Sequence, residues 1–497
     1  MFSIKKEILF SLPLVGRLPL SAAGRHHICK RIARVRAGGL FAILCLIVSG
    51  CAIGPKYIRP TTQIPTEYKE SKDWKIAEPQ DAIIRGEWWK VFNDPRLDEL
   101  ETEVNISNQN IAQAQAQYAQ AYALVQAAKS SFFPILSTSA SYKRSHTSSD
   151  TNGKNATSQN LLSADVSWEL DLWGKIRKTI EANRAKAQAS EADLEGIRLS
   201  AQAQLAQDYF QLCSLDAQKK LLQDTKVIFQ KFLVLTKNRH AGGVAAESDV
   251  LQAQTQLEET QAQEIDIGVQ RSQLEHAIAL LIGKPASDFS IPSLMQSAVV
   301  PSIPVGLPSA ILERRPDIAA AERNVAADNA LVGVAESAYF PTLTLSASGS
   351  YESSNLARIF SSPNPLWSVG PALAETIFDA GLRQAQTAQA KAAYDADVAS
   401  YRQTVLTAFQ QVEDNLAALR ILEQEGQVQD EAVKDAQKAV ALETNQYKAG
   451  TVSALDVITT QATALTNEKA AVTILGQRMN ACVLLIQYLG GGWTSGS

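Results

Sequence analysis

The chain has 497 residues, with 47 Lys and Arg against 51 Asp and Glu and a net charge of −4. That balance argues against nucleic acid as the main partner, which needs clustered Lys and Arg. Ala and Gln are frequent, a composition that favours long helices.

The first fifty residues read as a targeting segment. Arg25, Lys30, Arg31, Arg34 and Arg36 form a basic stretch, an apolar run from Leu40 to Val48 follows, and Ser49, Gly50 and Cys51 end it. This is the pattern of a secretory signal, and the run is shorter than the about 20 apolar residues of a spanning helix. The stretch before Arg25 exceeds what a signal needs, so the expected translation start lies further downstream. Val48-Ser49-Gly50-Cys51 resembles a bacterial lipoprotein box. The resemblance implies that Cys51 becomes the acylated first residue of the mature chain. Ala52 in place of Asp implies sorting to the outer membrane. Cys213 and Cys482 remain, and both are expected as lone buried thiols.

From there the chain repeats itself at an offset of about 207 positions. Ile111 falls opposite Ile318, Leu124-Val125 opposite Leu331-Val332, and Phe133-Pro134 opposite Phe340-Pro341. Gly174, Gly243 and Gly283 fall opposite Gly381, Gly450 and Gly490, and Asp249-Val250 opposite Asp456-Val457. Each half predicts a helix (about Leu97–Ser131 and Ser309–Ala338) stopped by Phe-Pro, since Pro cannot continue a helix and pushes its predecessor to extended geometry. Two strands follow, then a long helix, Ile176–Arg239 and Leu382–Tyr447, then a Gly-containing break and a second helix ending at Gly283 or Gly490.

The strands alternate. Leu162, Ala164, Val166, Trp168, Leu170 and Leu172 share one face, and Ser163, Asp165, Ser167, Glu169 and Asp171 the other. In the second half Leu343, Leu345 and Ala347 alternate with Thr342, Thr344, Ser346 and Ser348. Runs of about 10 residues cross a bilayer when tilted. Four strands per chain cannot close a barrel, which needs about 8 or more, and an open edge in lipid is costly. Membrane insertion would therefore require several copies in one ring. A sheet packed on a soluble core fits the alternation equally well; the signal, the lipid anchor and the expected lack of a spanning helix favour the membrane. The long helices, roughly 95 Å at 1.5 Å per residue, carry Ala and Gln faces that suit a wide aqueous tube, and equally a coiled-coil scaffold. After the signal the only histidines are His146, His240 and His276, with no metal-ligand spacing, Walker loop or G-x-S-x-G motif. No enzyme activity, metal or cofactor is expected, and energy must come from a partner.

Leu307-Pro308-Ser309-Ala310-Ile311-Leu312-Glu313-Arg314-Arg315-Pro316-Asp317-Ile318, with Ala321-Glu322, resembles the mid-chain signature of TolC-like outer-membrane factors, closest to their lipoprotein branch. Trp88-Trp89 with Asp94-Pro95-Arg96-Leu97, Glu169 to Arg177, and Ala338-Tyr339-Phe340-Pro341 resemble other family segments in order. The resemblance implies an α+β membrane protein. Three chains, four strands each, share a 12-stranded β-barrel, continued by a periplasmic α-barrel with an equatorial collar. It divides the chain into a signal (1–50), an anchor and equatorial segment (51–96), a first repeat (97–283), a linker (284–307), a second repeat (308–490) and a tail (491–497).

By the same resemblance, the turns at Gly243 and Gly450 form a periplasmic gate. Asp456 and Asp249 match positions near its constriction, Tyr447 a residue of its closing network, and Leu455 an apolar constriction. The turn glycines permit tight reversal, and a carboxylate repeated in a trimer makes a cation-attracting ring. Capping of the helix starts by the two Asp residues is the alternative. Thr459 stands where some members carry a second Asp, and Val452 where some carry Arg, leaving the number of acidic rings open. The implied partners are outer-membrane lipid, a periplasmic adaptor protein and an inner-membrane pump, proton-driven in many members. The leading expectation is the outer-membrane duct of a tripartite efflux system for small molecules. A type I protein-secretion duct and a periplasmic coiled-coil scaffold are the alternatives.

Overall fold

A computed structural model describes residues 53–70, 86–145, 157–294, 300–301, 303, 314–361 and 365–491. The expected signal, Cys51, His146 and the signature residues 307–313 lie outside these. In chain order the elements are α1 (Pro95–Ser107), α2 (Gln109–Ser130), β1 (Ile135–Ser145), β2 (Thr157–Leu170), α3 (Lys175–Ala241) and α4 (Glu247–Leu281), then α5 (Pro316–Ser337), β3 (Thr342–Ser353), β4 (Pro365–Ala374), α6 (Leu382–Ala449) and α7 (Ala454–Tyr488). The chain clusters into a strand unit (53, 136–175 and 340–375 among the described residues) and a helical unit.

The duplication is visible in the backbone. Gly174 and Gly381, Gly243 and Gly450, and Gly283 and Gly490 all adopt positive φ, between 69° and 97°. A Cβ on Gly283 would lie 2.4 Å from the Ser107 carbonyl oxygen, and one on Gly490 2.4 Å from that of Arg314. Ser107 and Arg314 are themselves repeat equivalents, so both halves close on the same backbone crossing. Ile111 and Ile318 are buried, as are Val125 and Val332.

One expected element divides. The helix predicted over Leu97–Ser131 is two helices, broken at Asn108. Its side chain caps α2 by accepting from the Asn110 and Ile111 N–H groups, and donates to Leu281 O at 2.8 Å. In the second half the described helix begins at Pro316, with Pro at its first position. The predicted strand to Leu172 ends at Leu170.

The four strands form one antiparallel sheet in the order β1-β2-β3-β4. The register sorts its faces. On one side lie the rows Leu170–Leu343–Leu373, Trp168–Leu345–Pro371, Val166–Ala347–Val369 and Leu162–Tyr351–Pro365. On the other lie Glu169–Thr344–Ala372, Ser167–Ser346–Gly370 and Asp165–Ser348–Ser368. Ser139 of β1 joins the polar side through Ser163 at 2.8 Å. Apolar Leu136, Tyr142, Trp367, Val369 and Leu373 are exposed, and among the described residues β1 and β4 each pair along one edge. One chain thus carries a section of a wall, greasy on one side and serine-rich on the other. At its start, Trp173 stacks on Phe340 at 5.0 Å and donates to Pro341 O at 2.7 Å.

The helical unit holds one main core. Trp88, Leu97, Leu100 and Ile111 pack there with Leu205, Tyr209 and Leu212 of α3, Val405 and Leu416 of α6, and Cys482, Leu485 and Ile486 of α7. Polar ties fix its edges. Trp88 Nε1 donates to Gln202 at 3.2 Å, Gln202 to Asn105 at 2.9 Å, and the Tyr209 hydroxyl to Asp94 at 2.6 Å. The signature residue Arg315 is buried; it forms a two-point pair with Asp317 and donates to Gln411 and Tyr488 O. That motif is a structural clamp at the α5 start. Cys213 and Cys482 are free thiols, half-buried and buried. α7 is long and apolar enough to cross a membrane, which corrects the expectation that no helix is. Its apolar face instead fills the main core.

Beyond the main core a smaller apolar cluster of Leu215, Leu222, Ile267 and Leu465 joins α3, α4 and α7, and side-chain hydrogen bonds add to it. Gln223 and Lys226 of α3 reach Glu264 of α4, and Gln429 of α6 donates to Asn467 of α7. Gln218 of α3 donates to Thr473 of α7 at 3.3 Å.

Candidate functional site

The α3–α4 and α6–α7 turns sit together on a small apolar cluster of Phe232, Leu233, Ala253, Tyr447, Ala454, Val457 and Ile458. In the first turn Gly242 and Gly243 N–H groups donate to Asn238 O and His240 O, and Val244 N–H to Arg239 O. Gly243 has φ 75° and Gly450 φ 83°. No atom crowds a Cβ at Gly243, so conformation, not space, calls for glycine there. In the second turn Gly450 and Thr451 N–H groups donate to Tyr447 O and Gln446 O, both at 3.0 Å.

The two helix starts differ. Ser453 caps α7 in a complete capping box with Asp456: its N–H and hydroxyl donate to the Asp456 carboxylate at 2.9 and 2.7 Å, and Asp456 N–H donates back at 3.3 Å. The Ser453 hydroxyl and N–H hold the Asp456 carboxyl below its ordinary range. Asp456 is nonetheless exposed. At the equivalent place α4 starts on Ala246, with no side-chain cap. Asp249 is half-buried, and its carboxylate accepts no hydrogen bond from the described residues.

Leu455 is 51% exposed, while Val457 and Ile458 point into the cluster. Leu455, Asp456 and Thr459 therefore share the outward face of the first α7 turn, an apolar residue beside an acid. Tyr447, 2% exposed, lies 5.1 Å from Phe232, and its hydroxyl is 3.4 Å from the Thr236 hydroxyl. The structure thus brings Tyr447 and both turn glycines into one assembly, with Asp456 and Leu455 on its surface and Asp249 at the neighbouring helix start. Sequence reading missed Phe232, Thr236 and Arg239. The signal available was the repeat itself, which breaks at Arg239-His240 against Gln446-Tyr447. Among the described residues no three His, Cys, Asp or Glu side chains gather as a metal site.

The family profile described as "Outer membrane efflux protein" matches residues 102–284 and 307–491, one match in each half. The chain is 31% identical over 461 residues to the pyoverdine export outer membrane protein OpmQ of Pseudomonas aeruginosa, covering 91% of this chain and 96% of that protein. Its fold is similar to the outer-membrane channel OprN, with TM-score 0.82, 29% identity, and coverage of 89% and 100% of the two chains. It also resembles the open state of the Neisseria gonorrhoeae MtrE outer membrane channel, with TM-score 0.79, 26% identity, and coverage of 89% and 98%. The chain belongs to the outer membrane efflux protein family and has its trimeric TolC-like fold, serving as the outer-membrane channel of a tripartite efflux system.

Proposed function

We propose that the protein is a passive exit duct for small molecules. It rests closed at the two helix turns, a periplasmic adaptor opens it, and a proton-driven inner-membrane pump supplies the energy. The observation that carries this reading is the outward Leu455–Asp456 pair at a turn that rests on a small apolar cluster. Repeated in a trimer, Leu455 narrows the passage and Asp456 makes a carboxylate ring that holds cations. Asp249, uncapped, adds a second acidic position. Gly243 and Gly450 let each helix pair reverse within the turn, and Tyr447 anchors the second turn beneath it.

Several observations support the remaining parts. The sheet has one face suited to lipid and one suited to water, and its edges need neighbours. The small-molecule reading draws on OpmQ, named for pyoverdine export, and on a Pseudomonas putida relative named for toluene efflux. Lipid attachment at Cys51 rests on the sequence pattern Val48 to Cys51; Cys51→Ser is expected to abolish incorporation of labelled palmitate.

The direct test is planar-bilayer recording. Asp456→Ala is expected to weaken block by trivalent cations and to raise conductance. Unchanged block would remove Asp456 from the gate.

A further inference from the structure

The two turns are repeat equivalents, yet they carry different halves of one contact. The offset sets Arg239 opposite Gln446 and His240 opposite Tyr447. The first turn has the guanidinium and no tyrosine; the second has the ring and no arginine.

Arg239 stands at the end of α3, and its side chain crosses to α6. The guanidinium carbon lies 4.4 Å from the centre of the Tyr447 ring. Its Nη1 donates to the Tyr447 carbonyl oxygen, and Nη2 sits beside Gly450, 3.9 Å from where a Cβ would stand. Two effects add. A cation over the face of a nearly buried ring is attracted more strongly than at an open surface. The last carbonyls of a helix carry partial negative charge, so a cation donating to Tyr447 O is favoured as well, beside the Gly450 N–H it already accepts. On the first turn, His240 behaves differently: its ring is exposed, and Nδ1 lies 2.9 Å from Ala245 O in its own turn. The tie therefore runs one way, from α3 to α6.

We propose that Arg239 is the positioning residue that keeps the α6–α7 turn docked against the α3–α4 turn in the closed state. It grips Tyr447 through its ring and carbonyl. The hydroxyl of Tyr447 is secondary: its one hydrogen-bond neighbour among the described residues, Thr236, lies at 3.4 Å and already donates to Phe232 O at 3.0 Å. The inference rests on the reading of these turns as the closed end of the duct. It adds to it a tie made within one chain and without a carboxylate. Opening then has to strip Arg239 from α6 before the second turn can move.

The test is single-channel conductance of the full-length protein in planar bilayers, with trimer assembly checked for each variant by native gel. Arg239→Gln and Tyr447→Leu are each expected to raise conductance several-fold. The double variant is expected to go no further than the larger single effect, because both remove one contact. Tyr447→Phe keeps the ring and is expected to stay at the wild-type level. Arg239→Lys keeps charge but not the planar fork, and is expected to open less than Arg239→Gln. Wild-type conductance in assembled Arg239→Gln trimers would overturn the proposal. So would independent effects in the double variant, or an opening in Tyr447→Phe as large as in Tyr447→Leu. If Arg239→Gln does not assemble, Arg239→Lys decides: raised conductance supports the tie, wild-type conductance overturns it. A silent Arg239→Gln with a still-altered cation block in Asp456→Ala would sink the clasp and spare the gate. Silence in both would sink the gate reading itself.

Discussion

The main core and the turn cluster lie on the same helices and are built to different specifications. In the core, aromatic and aliphatic residues of α1, α3, α6 and α7 interlock, and polar groups such as Gln202, Asp94 and Arg315 are paired. Its glycines are crowded by backbone: Gly283 and Gly490 leave no room for a methyl group. About 30 residues further along α3, roughly 45 Å at 1.5 Å per residue, the turn cluster has a handful of apolar residues. Gly243 there is free of close neighbours, and Gly450 meets only the end of the Arg239 side chain. The contrast teaches where each hairpin is fixed and where it is left able to move. Low apolar contact and exposed turns are the marks of a segment that opens at small cost.

Substitutions in the core and at the turns would break or sharpen this contrast, beginning with the largest effect. Gly490→Ala forces both a positive φ and a backbone overlap, and is expected to cost about 2–4 kcal/mol. The checks are the yield and melting temperature of assembled protein. A melting temperature equal to wild type would mean that the core crossing yields.

Next is Glu101, a carboxyl that the core holds at a cost. It is fully buried, and among the described residues neither oxygen has a hydrogen-bond partner. Burial, and secondarily Asp98, push its pKa well above the ordinary value. The folded chain therefore holds Glu101 protonated where the unfolded chain does not. The resulting penalty is absent below the unfolded pKa of about 4.3, and grows as pH rises toward the folded pKa. Glu101→Leu is expected to raise stability at neutral pH by about 1–3 kcal/mol and to flatten the loss toward alkaline pH. Melting curves across pH check this; a destabilised variant would point to a polar role for Glu101.

The smallest effects belong to the turns. Ser453→Ala removes the α7 cap and is expected to cost about 1 kcal/mol, with trimers intact. The Asp456 carboxyl, held low by Ser453, contributes stability above its unfolded pKa that fades as pH falls through the lower folded value. In Ser453→Ala that acid-range loss should shift upward in pH, as seen by carboxyl titration in NMR spectra. Gly450→Ala, with no backbone overlap, is expected to cost about 1 kcal/mol. A drop as large as that in Gly490→Ala would erase the distinction between core and turn.

Much of this was legible in the sequence, for physical reasons. Phe-Pro pairs stop helices, turn glycines mark positive φ, and period-two alternation fixes the faces of a sheet. The 207-residue offset multiplied each of these signals. What remained hidden depended on contacts between distant segments. The break at Asn108 sits among weak helix formers, Asn105-Ile106-Ser107 and Asn110, but it is settled by a hydrogen bond to Leu281 O. The membrane-length apolarity of α7 has to be matched with the core it fills before its meaning appears. Among the candidate site residues, Tyr447, Asp456, Asp249 and Leu455 were singled out through resemblance. The Ser453–Asp456 capping box was missed, although a Ser three residues before an acid is its sequence signal. Arg239 was hidden because its partner lies 208 positions away and its own neighbourhood looks like an ordinary helix end.

The most direct test of a duct closed at these turns uses Leu455→Cys, since the native thiols Cys213 and Cys482 are half-buried and buried. A charged thiol reagent is added to the reconstituted channel while current is recorded, and labelling of the introduced thiol is verified by mass. The expected result is a step change in single-channel current as each site reacts. Complete labelling with unchanged current would place Leu455 off the conduction path and contradict closure at the turns.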